Sequence, residues 1–160
     1  MIFDLPTFTL IHVLISVVGI LSGLVVIGGL MAGARLEAWT ALFLATTTLT
    51  SVTGFGFPSS AVSPAHIVGA LSLVVLAVCL AARYGLKLAR GWRTAYAVTA
   101  VVATYLNVFV LVVQLFAKVP TLHVLAPTQA EPPFAIAQGV VLVVFVVLTI
   151  FDVRRFHPAR

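Results

Sequence analysis

The strongest constraint on this chain is a succession of long apolar runs that charged residues hardly interrupt. A run of about 18 or more such residues is long enough to cross a bilayer as a helix. In hydrocarbon every backbone N–H and C=O must find its partner within the segment, which favours helices. A closed barrel would need segments of roughly 10 residues with alternating polarity, and none occur. Composition agrees: 62% of the 160 residues are apolar and 8% are charged, against about 25% charged in a soluble domain. The chain reads as all-α, a polytopic transmembrane helical bundle forming a single domain.

Apolar segments at about 8–32, 38–57, 65–85, 92–117 and 134–152 predict five spans, or four if 38–57 does not cross. The first follows Asp4, Leu5 and Pro6, a cap with proline near the helix start. No Lys or Arg precedes this run, and it exceeds the roughly 7–15 residues of a secretion signal, so it reads as a true span. Gly19 and Gly23, and again Gly29 and Gly33, have the GxxxG spacing that lets another helix approach closely; we read this as packing rather than dimerisation. The segment 38–57 is rich in Thr and Ser, whose hydroxyls can bond back to their own helix. It is expected inside the bundle, screened from lipid.

Under five spans, Arg35, Arg83, Lys87, Arg90, Arg93, Arg154, Arg155 and Arg160 fall on one side and only Lys118 on the other. Short cytoplasmic segments carry the Lys/Arg excess, so the N-terminus is expected outside and the C-terminus inside. Trp39 and Trp92 then lie at the cytoplasmic interface, as an aromatic belt requires. The formal charge of +5 is accounted for by these span ends and calls for no nucleic-acid partner. Membrane lipids are the expected partners, with a homo-oligomer or a larger membrane complex possible.

Polar groups inside a membrane are costly and often functional. Thr104, Asn107, Gln114 and Lys118 share one face of the fourth span, from mid-membrane outward. His12, His66 and Gln138 lie in the outer turns of their spans, and Thr50, Ser51 and Thr53 finish the second. Ser63 and Pro64 read as the cap and first residue of the third. The loop 119–133 holds Pro120, Pro127, Pro132 and Pro133, with His123, Thr128, Gln129 and Glu131 among them. It is expected to be stiff and non-helical. Glu131 precedes a helix start, where negative charge is favoured. With the aromatic turn at 54–60, this loop would form a lid over an outward-facing polar pocket, while the inner half of the bundle is mostly oily.

Several chemistries are disfavoured. Cys79 is the only cysteine, so neither an intramolecular disulfide nor a zinc site of paired thiolates is open to this chain. There is no Gly-rich phosphate loop, no His-Glu-x-x-His and no serine-nucleophile elbow. His123 lies in a loop and His157 in the tail. His12 and His66, at matched depth on two helices, are the candidate metal ligands, for haem b in particular.

Three stretches, Ser63 to Gly69 (SPAHIVG), Tyr105 to Gln114 (YLNVFVLVVQ) and Ala126 to Phe134 (APTQAEPPF), resemble a group of small uncharacterised proteobacterial inner-membrane proteins. The likeness covers most of the chain from the second span onward. It implies a bacterial inner-membrane location and supplies no role for His66, Asn107, Gln114 or Gln129. The leading functional expectation is a non-enzymatic membrane protein whose outer pocket binds a small ligand, lipid or partner subunit. Alternatives are a haem- or quinone-linked redox protein and a small oligomeric transporter or channel with Lys118 near its mouth.

Overall fold

The structure is a computed structural model that describes residues 5–58 and 64–156. Asp4, Ser63, His157 and Arg160 lie outside the described residues. The described elements are all helical: α1 (Leu5–Met31), α2 (Glu37–Gly54), α3 (Pro64–Leu80), α4 (Trp92–Lys118), α5 (Pro120–Leu125) and α6 (Pro132–Arg155). A π turn, Ala81–Gly85, prolongs α3. Four helices are long and apolar enough to cross a membrane: α1, α3 with its π turn, α4 and α6. The expected bundle is observed, with the count of five spans approximate: α2 is less apolar because Glu37 and its hydroxyl residues dilute it.

What fixes α2 is α1, along which it lies antiparallel for its whole length. Gly29 faces Leu36, Gly23 faces Phe43, Gly19 faces Thr47, and His12 bonds Thr53. Each step down α1 is matched by an equal step up α2, so the pair keeps one register from end to end. At roughly 1.5 Å per residue, the 18 residues of α2 span about 27 Å, close to the ~30 Å hydrocarbon thickness. The turn between them is tight. Gly33 takes φ +71°, and Ala34 N–H donates to the Gly29 carbonyl at 2.8 Å while Gly33 N–H donates to Leu30 at 3.0 Å. That is the Schellman ending, which needs a residue without a Cβ.

The centre of the bundle is α4, which packs on α1, α3 and α6 and touches α2. Its buried face carries Ala97, Ala100 and Ala103 with Tyr96, Thr104 and Asn107. Small residues at helical spacing let neighbouring backbones come close where lipid offers no hydrophobic drive. In contrast α6 buries only Phe145 and Asp152 and turns Ile136, Val140, Val143, Val147 and Ile150 outward, a lipid-facing surface.

One expectation is corrected in the loop after α4, which is not wholly non-helical. Pro120 begins α5, with Val119 extended before it. Proline is tolerated at the first helical position because the N–H it lacks would have no intrahelical partner. The remaining prolines stay in the connection or open α6.

The glycines of α1 make a clear contrast. A Cβ at Gly23 would lie 2.6 Å from Thr104 Oγ1 and 3.0 Å from the Phe43 ring, while one at Gly28 meets nothing within 4 Å. Gly23→Ala is expected to cost about 1–3 kcal/mol through overpacking, and Gly28→Ala to be neutral or to stabilise by up to ~1 kcal/mol. Thermal unfolding of the two variants in detergent checks this; equal effects would mean that α1 does not meet α2 and α4 at Gly23.

Candidate functional site

A row of polar side chains, half-buried at its outer end and buried deeper in, runs along α2 between α1 and α4. It starts at the end of the bundle far from the arginines. There His12 Nδ1 lies 2.8 Å from Thr53 Oγ1. Thr53 already donates its one hydroxyl proton back to the Leu49 carbonyl at 2.7 Å, so in the neutral imidazole Nδ1 carries the hydrogen and Nε2 the lone pair. Deeper, Asn107 Nδ2 donates to Thr47 Oγ1 at 3.3 Å, beside Ser51 and Thr104, which bond back to the carbonyls of Thr47 and Ala100. Gly19 makes the room: a Cβ there would sit 3.2 Å from Thr47 Oγ1 and 3.5 Å from Asn107 Nδ2. The hydroxyl of Thr50 is buried without a partner among the described residues, as is Gln138 Oε1.

Only part of the expected set comes together in this row. His12 and Asn107 belong to it. Gln138 joins α6 to α4 instead, its Nε2 donating to the Phe109 carbonyl at 3.1 Å. His66 lies against Phe55 at 5.5 Å between ring centroids, and the edge of His12 meets Phe57 at 5.0 Å. The two histidines thus flank the aromatic turn, each against its own phenylalanine. Among the described residues no three His, Cys, Asp or Glu side chains gather into a metal-binding group.

The polar stripe of α4 divides. Thr104 and Asn107 are buried, but Gln114 and Lys118 are exposed. Beyond Asn107 the contacts of α4 shift to another face, where Phe116 packs edge-on against Phe134 and its carbonyl lies 3.3 Å from His123 Nδ1.

Gln129 and Glu131 build the loop. Gln129 Nε2 donates to the Val113 carbonyl at 2.9 Å. The Glu131 carboxylate accepts from the Thr128 hydroxyl at 2.8 Å and from the backbone N–H groups of Thr128 and Ala130. The Thr128 hydroxyl first, then these amides, hold its carboxyl below the ordinary glutamate range. This loop is tied to α4, whereas the aromatic turn packs on α1 and α3 through Phe8, His12 and His66. The described contacts thus tie the loop to α4 and the turn to α1 and α3, while residues 59 and 60 of the expected lid lie outside the described residues.

The expectation of an oily inner half is overturned at the arginine-rich end. Arg83, its side chain 3% exposed, donates from Nη2 to Glu37 Oε2 at 2.6 Å and to the Arg35 carbonyl at 3.2 Å. The guanidinium carbon stands 5.4 Å from the Tyr96 ring centroid and 6.0 Å from that of Tyr84, within cation–π range. Thr40 donates to the same Arg35 carbonyl at 3.1 Å, so the Tyr96 hydroxyl, 3.3 Å away, is the donor to Thr40. The π turn brings Arg83 inward; composition gave no sign of it, since the residue looks like an ordinary span-end arginine. Irregular turns of this kind recur at functional sites.

Asp152 is the other residue that sequence reading passed over. It looked like a span-end charge beside Arg154 and Arg155, yet it is 0% exposed. Both its carboxylate oxygens lack a partner among the described residues. Its spacing from Phe145, Leu148 and Phe156 was the available signal, because these positions share one helical face and that face is the buried one. An unpartnered buried polar group costs about 1–3 kcal/mol, and an apolar replacement of similar size recovers it. Asp152→Leu is accordingly expected to raise the melting temperature of the purified protein. A fall would mean that the carboxylate has a partner in the membrane.

Comparison of the chain with family models, curated proteins and solved structures finds no match.

Proposed function

We propose that this chain is a non-enzymatic integral protein of the bacterial inner membrane, with a polar interior open toward the periplasm that binds a small ligand. The observation that carries the reading is the row of polar contacts between α1, α2 and α4, from the half-buried pair His12 and Thr53 to the buried pair Thr47 and Asn107, with the Thr50 hydroxyl of α2 without a partner among the described residues. Buried polar networks in a membrane are expensive unless they serve a purpose. This row carries no carboxylate or ammonium, which suits an uncharged ligand bearing hydrogen-bond donors and acceptors. A lipid or a polar side chain of a partner subunit offers the same chemistry. The resemblance noted above supports the location. The basic residues gathered at one end support a cytoplasmic C-terminus and a periplasmic N-terminus. The end-to-end alignment of α2 with α1 supports α2 as the fifth crossing.

Native mass spectrometry of the protein released from lipid nanodiscs tests the pocket. The wild type is expected to carry a bound small molecule, and the double variant Thr47→Val, Asn107→Leu to lose it while still unfolding cooperatively. Bare protein mass in both would sink the reading.

A second reading, a small oligomeric transporter, is favoured by Asp152, since intramembrane carboxylates often mark proton or cation paths. It predicts a proton or sodium flux in proteoliposomes that Asp152→Asn reduces at least about tenfold, or 1.4 kcal/mol. Flux unaffected by the substitution counts against it. The haem or quinone reading has no comparable support: each histidine packs on a different phenylalanine of the aromatic turn, and no described contact brings His12 and His66 together as a ligand pair.

A further inference from the structure

At the arginine-rich end a cavity of about 150 Å³ is lined by Arg35, Glu37, Arg83, Tyr84, Lys87 and Leu88. We propose that this cavity is a phosphate site, filled by the phosphate of an anionic lipid headgroup or by free phosphate. The inference is independent of the pocket proposed at the opposite end.

Charge is the first argument. Three cations line the cavity against one carboxylate, and Glu37 commits Oε2 to Arg83. The second is what Arg83 has left to give. Among the described residues both of its hydrogen bonds leave from Nη2, to Glu37 and to the Arg35 carbonyl. Nε and Nη1 keep their hydrogens for a ligand, and a guanidinium fork suits the oxygens of a phosphate.

The third argument is preorganisation. Glu37 and the nearby Tyr84 and Tyr96 rings already restrain the guanidinium, so little side-chain freedom is lost when an anion arrives. A topology anchor would lie in water, whereas the Arg83 side chain is 3% exposed.

Backbone strain points to the same place. Leu36, Lys87, Leu88 and Arg90 all take positive φ, at 40°, 49°, 60° and 47°. These residues belong to the two turns that border the cavity. Non-glycine residues in this region are strained and cluster where a ligand is held. Lys87, in one of these turns, lines the same cavity as Arg83, and an ammonium there adds a point charge to the guanidinium fork. The cavity also lies at the ends of the helices, where the phosphates of a bilayer would meet the bundle. Basic pockets between helix ends are suited to anionic headgroups.

The test uses the full chain. Retention of phosphatidylglycerol against phosphatidylcholine is measured by native mass spectrometry, and stabilisation by inorganic phosphate by thermal unfolding. The test variant is Arg35→Gln, Lys87→Gln, which spares the buried Arg83. The control, Arg154→Gln, Arg155→Gln, removes as many charges from the same end. Arg83→Lys keeps the charge and removes the fork. The proposal expects the test variant to lose about tenfold in anion binding, Arg83→Lys to lose binding as well, and the control to stay within about twofold. Binding of the lipid without a response to inorganic phosphate assigns a headgroup; a response to inorganic phosphate without lipid preference assigns the free anion. Equal losses in test and control variants, or no anion binding by the wild type, would overturn the proposal.

Discussion

Hydrocarbon gives a polar group no water to turn to, and the interior of this bundle is arranged around that constraint. Hydroxyl side chains on its long helices repeatedly take the nearest acceptor, the carbonyl four residues earlier: Ser16 to His12, Ser22 to Val18, Thr46 to Leu42, Thr99 to Ala95, Thr149 to Phe145. Such back-bonding lets a threonine-rich segment such as α2 lie within a membrane bundle. It also separates hydroxyls that merely satisfy themselves from polar groups that reach another helix. His12 to Thr53 and Asn107 to Thr47 are of the second kind, and they hold α1, α2 and α4 in register.

Glycine serves the same arrangement. The Gly19–Gly23 spacing in α1 resembles a dimer motif, but within this chain it is used to admit Thr47 and Asn107 at one position and Thr104 and Phe43 at the next. Gly29 then receives the side chain of Leu36, and Gly33 turns the chain. The close approach serves a neighbouring helix of the same molecule. Polar contacts are worth little each in a membrane, about 0.6 kcal/mol, so their geometry depends on the tight packing that these glycines allow.

The bundle's two ends differ in kind. The far end holds neutral polar groups, aromatic rings and a loop closed by Glu131 around its own backbone. The arginine-rich end holds buried ionisable groups: Arg83 against Glu37 and two tyrosines, and Asp152, whose carboxyl has no partner among the described residues. Removing water from ions is costly, and one exposed partner, such as Glu37, compensates only part of it. Structure of this sort at a helix end is more than topology requires, and it turns an apparent anchor into a candidate binding site.

The sequence by itself determined the membrane class, the helical ends to within a few residues, and the gathering of basic residues at alternate span ends. These follow from local quantities, namely run length, charge position and proline placement, and local quantities survive folding unchanged. His12 and Asn107 were legible as site candidates because any buried imidazole or amide in a span needs a partner. Only the tertiary structure decided which partners they have, that Gln114 and Lys118 on the same stripe stay exposed, and that Arg83 and Asp152 are buried. The reason is geometric: a π turn rotates Arg83 inward, and the packing of α6 on α1 and α4 closes over Asp152. Neither burial can be read from a residue's distance to the end of its apolar run.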